Sequence, residues 1–442
     1  MTRIDAIGFA AELAAHAQRH GPVTIGLAGA GQMGTDIVVQ AALMPGVRIG
    51  AIAASRPIRP LEAIAMAGHS ADTGSIVTTD AGIDQAIEAG RIAITDDLTA
   101  LTRAGRIDVV VDATGSPEIG TLLALESIRN GKHIVMLNVE ADITVGRHLA
   151  AEARKAGVVY TGSAGDEPAA TLELIALAQA LGMDIVAAGK GKNNALDFNA
   201  VPADFEEEAR ARNMNARILV EFVDGSKTMV EMTAIANCTG LLPDVPGMHG
   251  PAATLDNLAQ ILCTREDGGI LSAAGRVDYT IGKGVAPGVF CVVKPRHERA
   301  IERMADLKVG PGPCFTLTRP FHLTSLETPL SAVRAVMYGR PDMVPLDRPV
   351  AECGALAKRD LAAGQILARI GMEDYRGYAL TWADGRARRA LPLGLAEHSR
   401  VTRPIRAGEL LTYDNCAPDE SLNVTRIRRA LDAADTVFLP GA

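Results

Sequence analysis

Apolar positions in the first 160 residues fall in short runs, separated by stretches with helical spacing. Val23–Ile25 is one such run. It leads into a glycine-rich turn, after which residues 36–44 (Asp-Ile-Val-Val-Gln-Ala-Ala-Leu-Met) read as a helix. Residues 48–53, 107–113, 133–137 and 157–160 are further strand-like runs. Between two of them a helix is expected from Pro117, with Glu118 in its first turn, apolar Leu122, Leu123, Leu125 and Ile128, and a stop at Asn130-Gly131. Strands alternating with helices predict a parallel, doubly wound sheet. Ligands of such sheets sit beyond the carboxyl ends of the strands. Thr114, Gly115, Asn138, Glu140 and the turn Gly165-Asp166-Glu167-Pro168 fall at those ends.

The pattern then changes. Residues 215–223 and 228–236, flanking Asp224-Gly225-Ser226-Lys227, read as an antiparallel hairpin, which would place Glu231 in mid-strand. Residues 240–252 are rich in proline and glycine, and strand-like pieces continue to Val293. Ser325–Tyr338 reads as a helix returning to the first domain, and Pro341–Pro349 as a linker. In the tail, residues 358–367 recur as 402–411, each copy a strand, an Ala-Gly turn and a strand. The expected organisation is α/β. An N-terminal Rossmann-type doubly wound sheet (1–165) is followed by a central α+β substrate and dimerisation domain (166–323). The returning helix and linker (324–344) and a small C-terminal β domain (345–442) complete it.

Gly26-Leu-Ala-Gly29-Ala30-Gly31-Gln32-Met33-Gly34 stands between the first strand and its helix. Gly29 permits the tight turn, Gly31 lets the backbone approach a pyrophosphate, and Gly34 lets the helix pack on the strand. The helix N-terminus offers free N–H groups to the phosphates. A nicotinamide dinucleotide is therefore expected on residues 29–34. After the second strand, where an acid usually binds the ribose of NAD, the chain reads Ala54-Ser55-Arg56-Pro57. A hydroxyl and a guanidinium suit a 2′-phosphate, favouring NADP, with NAD as the alternative.

Charged residues make up 22% of the 442 and apolar ones 48%, as in a soluble globular enzyme. The net charge of −8 speaks against nucleic acid or an anionic membrane as partner. With no long apolar run and no signal peptide, a cytoplasmic location is expected. The six cysteines include no C-x-x-C pair, which argues against a zinc or redox motif. No serine-hydrolase elbow, H-E-x-x-H or P-loop lysine motif occurs.

Lys190 and Lys192, in Gly189-Lys-Gly-Lys-Asn193-Asn194, follow a strand-like run and share a face if the strand continues. Their charges suit an anionic substrate and a developing oxyanion, and the intervening glycines are read as allowing a ligand close. Asp166 and Glu167 are candidate acid/base groups or ligands for a divalent ion such as Mg²⁺, although Asp166 equally suits a helix cap. Glu231, His249 in the Pro/Gly loop, Arg319 and His322 complete the candidates.

These motifs, together with Asp112-Ala-Thr-Gly115, Asn138-Val-Glu140, residues 222–231, Pro246-Gly-Met-His-Gly-Pro251 and Arg319-Pro-Phe-His322, resemble the deoxyxylulose-phosphate-reductoisomerase-like family over nearly the whole chain. The resemblance implies a homoserine-dehydrogenase-like first domain, a SAF-like tail and NAD(P)-dependent oxidation or reduction with isomerisation. Its substrates would be anionic sugar derivatives such as deoxyxylulose phosphate or apionate, and it places Lys190, Lys192, Asn193, Asn194, Glu231 and His249 around the substrate. Val139 replaces the lysine that follows the asparagine in homoserine dehydrogenases, which speaks against simple homoserine oxidation. A plain dehydrogenase of a small hydroxy acid and a cofactor-binding sensor without turnover are the competing readings. A homodimer is expected by analogy of fold.

Overall fold

The computed structural model describes residues 5–211 and 214–438. The chain folds into two compact units. The first comprises residues up to 138, 148–166 and 323–344; the second comprises 139–147, 167–322 and the chain from 345 on.

The first unit is built on seven parallel strands: β1 (Val23–Ala28), β2 (Val47–Ala53), β3 (Gly74–Ile76), β4 (Ile92–Thr95), β5 (Val109–Asp112), β6 (His133–Met136) and β7 (Tyr160–Gly162). Their order is β3-β4-β2-β1-β5-β6-β7, so the winding direction reverses between β1 and β5. Parallel strands covered by helices on both faces read as near-continuous apolar runs. Accordingly every residue of β1, β4 and β5 is buried. The helix Thr328–Tyr338 returns to this unit, and its Ala332 and Val333 enter the core with Ile25, Leu27 and Ile37.

The second unit centres on a mixed sheet of β8 (Asp184–Lys192), β9 (Leu242–Pro243), β10 (Arg276–Ile281), β11 (Val289–Lys294) and β12 (Phe315–Arg319), ordered β12-β11-β8-β10-β9. The helices Glu167–Ala180 and Ser226–Thr239 pack against it. The tail contributes the antiparallel pairs β13 (Ala351–Ala357) with β14 (Tyr375–Thr381), and β15 (Arg400–Val401) with β16 (Cys416–Ala417), then the helix Asn423–Phe438. Its two repeat copies face each other, with Leu361 bridged antiparallel to Ile405.

The hairpin expected at 215–236 is a pair of helices instead, Ala216–Val223 and Ser226–Thr239. Asn215 caps the first by accepting from the Arg217 N–H at 3.0 Å. Gly225, at φ 80°, is the left-handed break between two helices rather than a hairpin turn, and Gly240 at φ 86° ends the second. The second helix is buried almost continuously from Thr228 to Asn237, so no polar stripe marks its period. A helix buried all round looks like an apolar β run in sequence.

Candidate active site

The glycine loop has the geometry its spacing implies. Gly29 sits at φ 102°, where a Cβ would lie 2.6 Å from the Ala113 carbonyl oxygen. A Cβ on Gly34 would meet the Gly29 carbonyl oxygen at 2.2 Å. Gly31 differs, because nothing lies within 4 Å of the place its Cβ would take. Gly29 and Gly34 therefore shape the turn, while Gly31 leaves the space a pyrophosphate needs. The helix Gln32–Leu43 has no side-chain cap and no acid in its first turn, so its first N–H groups and partial positive charge remain for an anion. Ala30 is buried beside the loop and Met33 half-buried. Ser55 and Arg56 lie exposed just past the end of β2.

At the end of β5, Asp112 ties the loop together. It accepts from the Thr114 N–H and hydroxyl at 2.9 and 2.7 Å, and from the Asn138 amide at 3.0 Å. Asn138 also donates to the Ser116 carbonyl at 2.8 Å. Thr114 and Asn138 thereby fix the strand ends, and Gly115 turns at φ 64°. These residues fit a dinucleotide. Glu140 falls in the second unit, where it lies 3.5 Å from Lys227.

In the second unit β8 extends through Lys192, so Lys190 and Lys192 do share a face. Lys190 is only 5% exposed and stands between two carboxylates. Its ammonium donates to Glu167 at 2.8 Å and, by a short bond, to Glu231. One acid comes from the helix Glu167–Ala180 and the other from the helix Ser226–Thr239. His322 Nε2 lies 3.4 Å from Glu167. Lys192 donates to Asn194 at 2.7 Å and closely to the Phe222 carbonyl. The glycines between the lysines serve another purpose than the one expected. A Cβ on Gly189 would strike the Asp278 carbonyl at 1.7 Å, and one on Gly191 the Ala286 nitrogen at 2.4 Å. They let neighbouring chain segments approach, not a ligand.

Electrostatics separates the groups. Burial works against the charge on Lys190, but Glu167 and Glu231 outweigh it and raise its pKa, so it stays an ammonium. Glu167 resists its own burial through Lys190 and His322 and is held well below the usual carboxylate range. Glu231 goes the other way: burial, reinforced by the negative Glu167, pushes it up to about 7 despite Lys190. Burial and the neighbouring Lys190 pull Lys192 down to about 8. Glu231 is fully buried, and its Oε1 has no hydrogen-bond partner among the described residues. Two carboxylates one ammonium apart, one ionised and one poised near neutrality, are the arrangement that acid/base chemistry uses. For a divalent cation, Glu167 and Glu231 are suitable donors, but the Lys190 ammonium already holds the position between them.

His249 and Arg319 are engaged elsewhere. His249 pairs with Asp244 at 2.9 Å, and Asp244 also takes Arg276 at 2.8 Å. Arg319 pairs with Glu173 at 3.1 Å and lies over the Phe321 ring. Asn193 is exposed. Asp166 is buried directly before the helix that Glu167 opens. Sequence reasoning missed a second buried pair, Lys358 with Asp224 at 2.5 Å. Lys358 also donates to the carbonyls of Ala200 and Met372, both at 2.9 Å, and Asp224 accepts from the Ser226 N–H at 2.8 Å. The pair pins the turn whose Phe222 carbonyl holds Lys192. Asp224-Gly225 reads as an ordinary turn and Lys358 is 134 positions away, so no local signal marks them.

Residues 165–328 match the family described as "Oxidoreductase DRL, catalytic domain", and residues 29–161 match "Homoserine dehydrogenase, NAD binding domain". No curated protein matches significantly. Among solved structures, a probable dehydrogenase from Thermotoga maritima is 14% identical, with a TM-score of 0.42, covering 73% of this chain and 91% of that one. Scyllo-inositol dehydrogenase from Lactobacillus casei is 14% identical over 67% of this chain and 76% of its own, with a TM-score of 0.36. A putative myo-inositol dehydrogenase from Sinorhizobium meliloti gives 14%, 72%, 90% and 0.36 in the same terms. Likenesses this loose assign neither substrate nor activity. The two family matches cover both the glycine loop and the Lys190 cluster, and the chain is an NAD(P)-dependent oxidoreductase.

Proposed function

We propose that the enzyme couples hydride transfer to isomerisation of a small anionic sugar derivative, a sugar phosphate or sugar acid such as deoxyxylulose phosphate or apionate. The observation that carries this is Lys190 held between an ionised Glu167 and a Glu231 poised near pH 7. Moving a carbonyl along a carbon chain needs a proton acceptor and a fixed positive charge beside the oxygen that becomes negative. Glu231 accepts the proton from the hydroxyl or the adjacent carbon. Lys190, kept charged by its two acids, donates to the developing enolate or alkoxide oxygen. Lys192 attracts the substrate's anionic group, with Asn194 orienting its ammonium. Glu167 and His322 hold Lys190 and the local charge in place. Residues 29–34 would hold the nicotinamide dinucleotide, NADP by the Ser55-Arg56 reading, which would supply the hydride chemistry.

The test is turnover by purified protein with NADP(H) and NAD(H), on deoxyxylulose phosphate and a panel of tetronic and branched sugar acids, with and without Mg²⁺. A product whose carbonyl has moved supports the reading. Oxidation without rearrangement would replace it with a simple dehydrogenase of a hydroxy acid, for which the same acid/base pair also suffices.

A further inference from the structure

The first unit contains a cavity of about 340 Å³ at the end of its sheet opposite the glycine loop. It opens where β2 and β4 begin and where the helices Gln32–Leu43 and Asp80–Glu88 finish. Its floor is apolar, with Val38, Ala41, Ile49 and Ile92 among the lining side chains. Around it stand three basic side chains, Arg48, Arg91 and His69.

None of the three has an acidic partner within ion-pair distance among the described residues. Arg48 spends only its Nε, donating to the Thr24 hydroxyl at 2.8 Å, which leaves both terminal nitrogens. The acid acting on it is Asp108, whose carboxylate accepts from the Thr24 N–H at 2.8 Å. Burial, offset in part by Asp108, disfavours the charge on Arg48. Two guanidiniums thus stand beside one cavity with terminal donors to spare. A guanidinium that keeps its terminal donors beside a cavity matches a carboxylate or sulfonate, and the volume lies in the range of small-molecule sites.

We infer that this cavity binds a small amphipathic monoanion, an apolar body carrying one carboxylate or sulfonate, at a site separate from the glycine loop. The apolar body fills the floor, and the anionic group meets Arg48 and Arg91 at the mouth.

The probe is 1-naphthoate, with 1-naphthylmethanol as its neutral twin, titrated calorimetrically into the full chain at saturating NADP so that the nicotinamide site is filled. One equivalent of naphthoate is expected to bind at least tenfold more tightly than the alcohol. Arg91→Glu, at an exposed position, should weaken it tenfold or more. Ala42→Trp, on the exposed end of the Gln32–Leu43 helix, should fill the cavity and abolish binding. Both variants should keep the wild-type melting temperature and NADP affinity. Absence of naphthoate binding to the wild type would overturn the inference. So would equal affinity for the alcohol, or binding that survives both substitutions, since the probe would then lie elsewhere or ignore the arginines.

Discussion

The two sheets solve different problems. The seven-stranded sheet of the first unit is largely apolar, and the features it offers a ligand are backbone: three glycines and a run of free N–H groups. The mixed sheet of the second unit buries charge, with Lys190 and Lys192 on β8 and two carboxylates laid over them by flanking helices. A backbone cradle binds without changing protonation, as a cofactor used by many enzymes requires. A buried ion cluster is costly to assemble, but it sets pKa values apart, as proton transfer requires. Substitutions in the first sheet should thus act on cofactor affinity, and those in the second on the chemical step.

The sharpest test is Lys190→Met. Removing the ammonium leaves Glu167 and Glu231 facing each other in a dry site, and breaking a buried pair in this way costs about 3–5 kcal/mol. Turnover should fall by several hundredfold to about a thousandfold, as for loss of an oxyanion donor in other enzymes. NADP affinity, measured by fluorescence titration, should stay within about twofold of wild type. A large loss of NADP binding in a protein that still folds would dissolve the division of labour.

Glu231→Gln comes next, with a loss of roughly a hundredfold expected for a general base. Its pH signature is more specific than its size. Glu231 must be ionised to accept a proton, so kcat/KM in the oxidative direction should rise as pH passes about 7. Lys192 must be charged to hold an anion, so the same quantity should fall as pH passes about 8. The profile should be a narrow bell between these values. Glu231→Gln should remove the acid limb, and Lys192→Arg should push the alkaline limb upward, because a guanidinium does not deprotonate there. An unchanged acid limb in Glu231→Gln would assign the base to another residue.

The same contrast explains what is legible in the sequence. A glycine loop is local, with every residue within a few positions of the others, and the spacing of Gly29, Gly31 and Gly34 carries the geometry. The strands β1, β5 and β6 are equally plain, because a strand buried on both faces is a continuous apolar run. Lys190 and Lys192 can be placed on one face because a strand has period two. Their partners cannot be read off. Glu167, Glu231 and His322 lie 23, 41 and 132 positions from Lys190, and nothing along the chain says that two helices and the loop after β12 converge on β8. The segment 215–239 misleads because tertiary burial erases its helical stripe, and Asp224-Gly225 imitates a hairpin turn. Gly189 and Gly191 suggest room for a ligand, whereas a neighbouring backbone fills that room.

In the first unit the glycines themselves can be told apart. Gly34→Val should act first on stability, because its Cβ would collide with the Gly29 carbonyl. The Cβ of Gly31→Val would meet no described protein atom within 4 Å, so the fold should persist with an unchanged melting temperature. Its side chain would occupy the pyrophosphate's space, and NADP affinity should drop about thirtyfold, near 2 kcal/mol. If Gly31→Val bound NADP normally, the dinucleotide would not cross the loop at that residue.

The smallest effect is expected at Arg56. It is exposed, so its charge is screened and no packing depends on it. An exposed ionic contact contributes at most about 1 kcal/mol, and a 2′-phosphate held partly by Ser55 would lose only part of its affinity. Arg56→Asp both removes the cation and adds a carboxylate able to take the 2′- and 3′-hydroxyls of NAD. The ratio of kcat/KM for NADP over NAD should therefore fall by about tenfold, a shift of about 1.4 kcal/mol, through KM for the cofactor and not through kcat. Because the substitution leaves the Lys190 cluster untouched, the pH bell should keep both limbs. A change in that bell would mean that the two regions do not act independently, and it would break the comparison more decisively than any loss of cofactor preference.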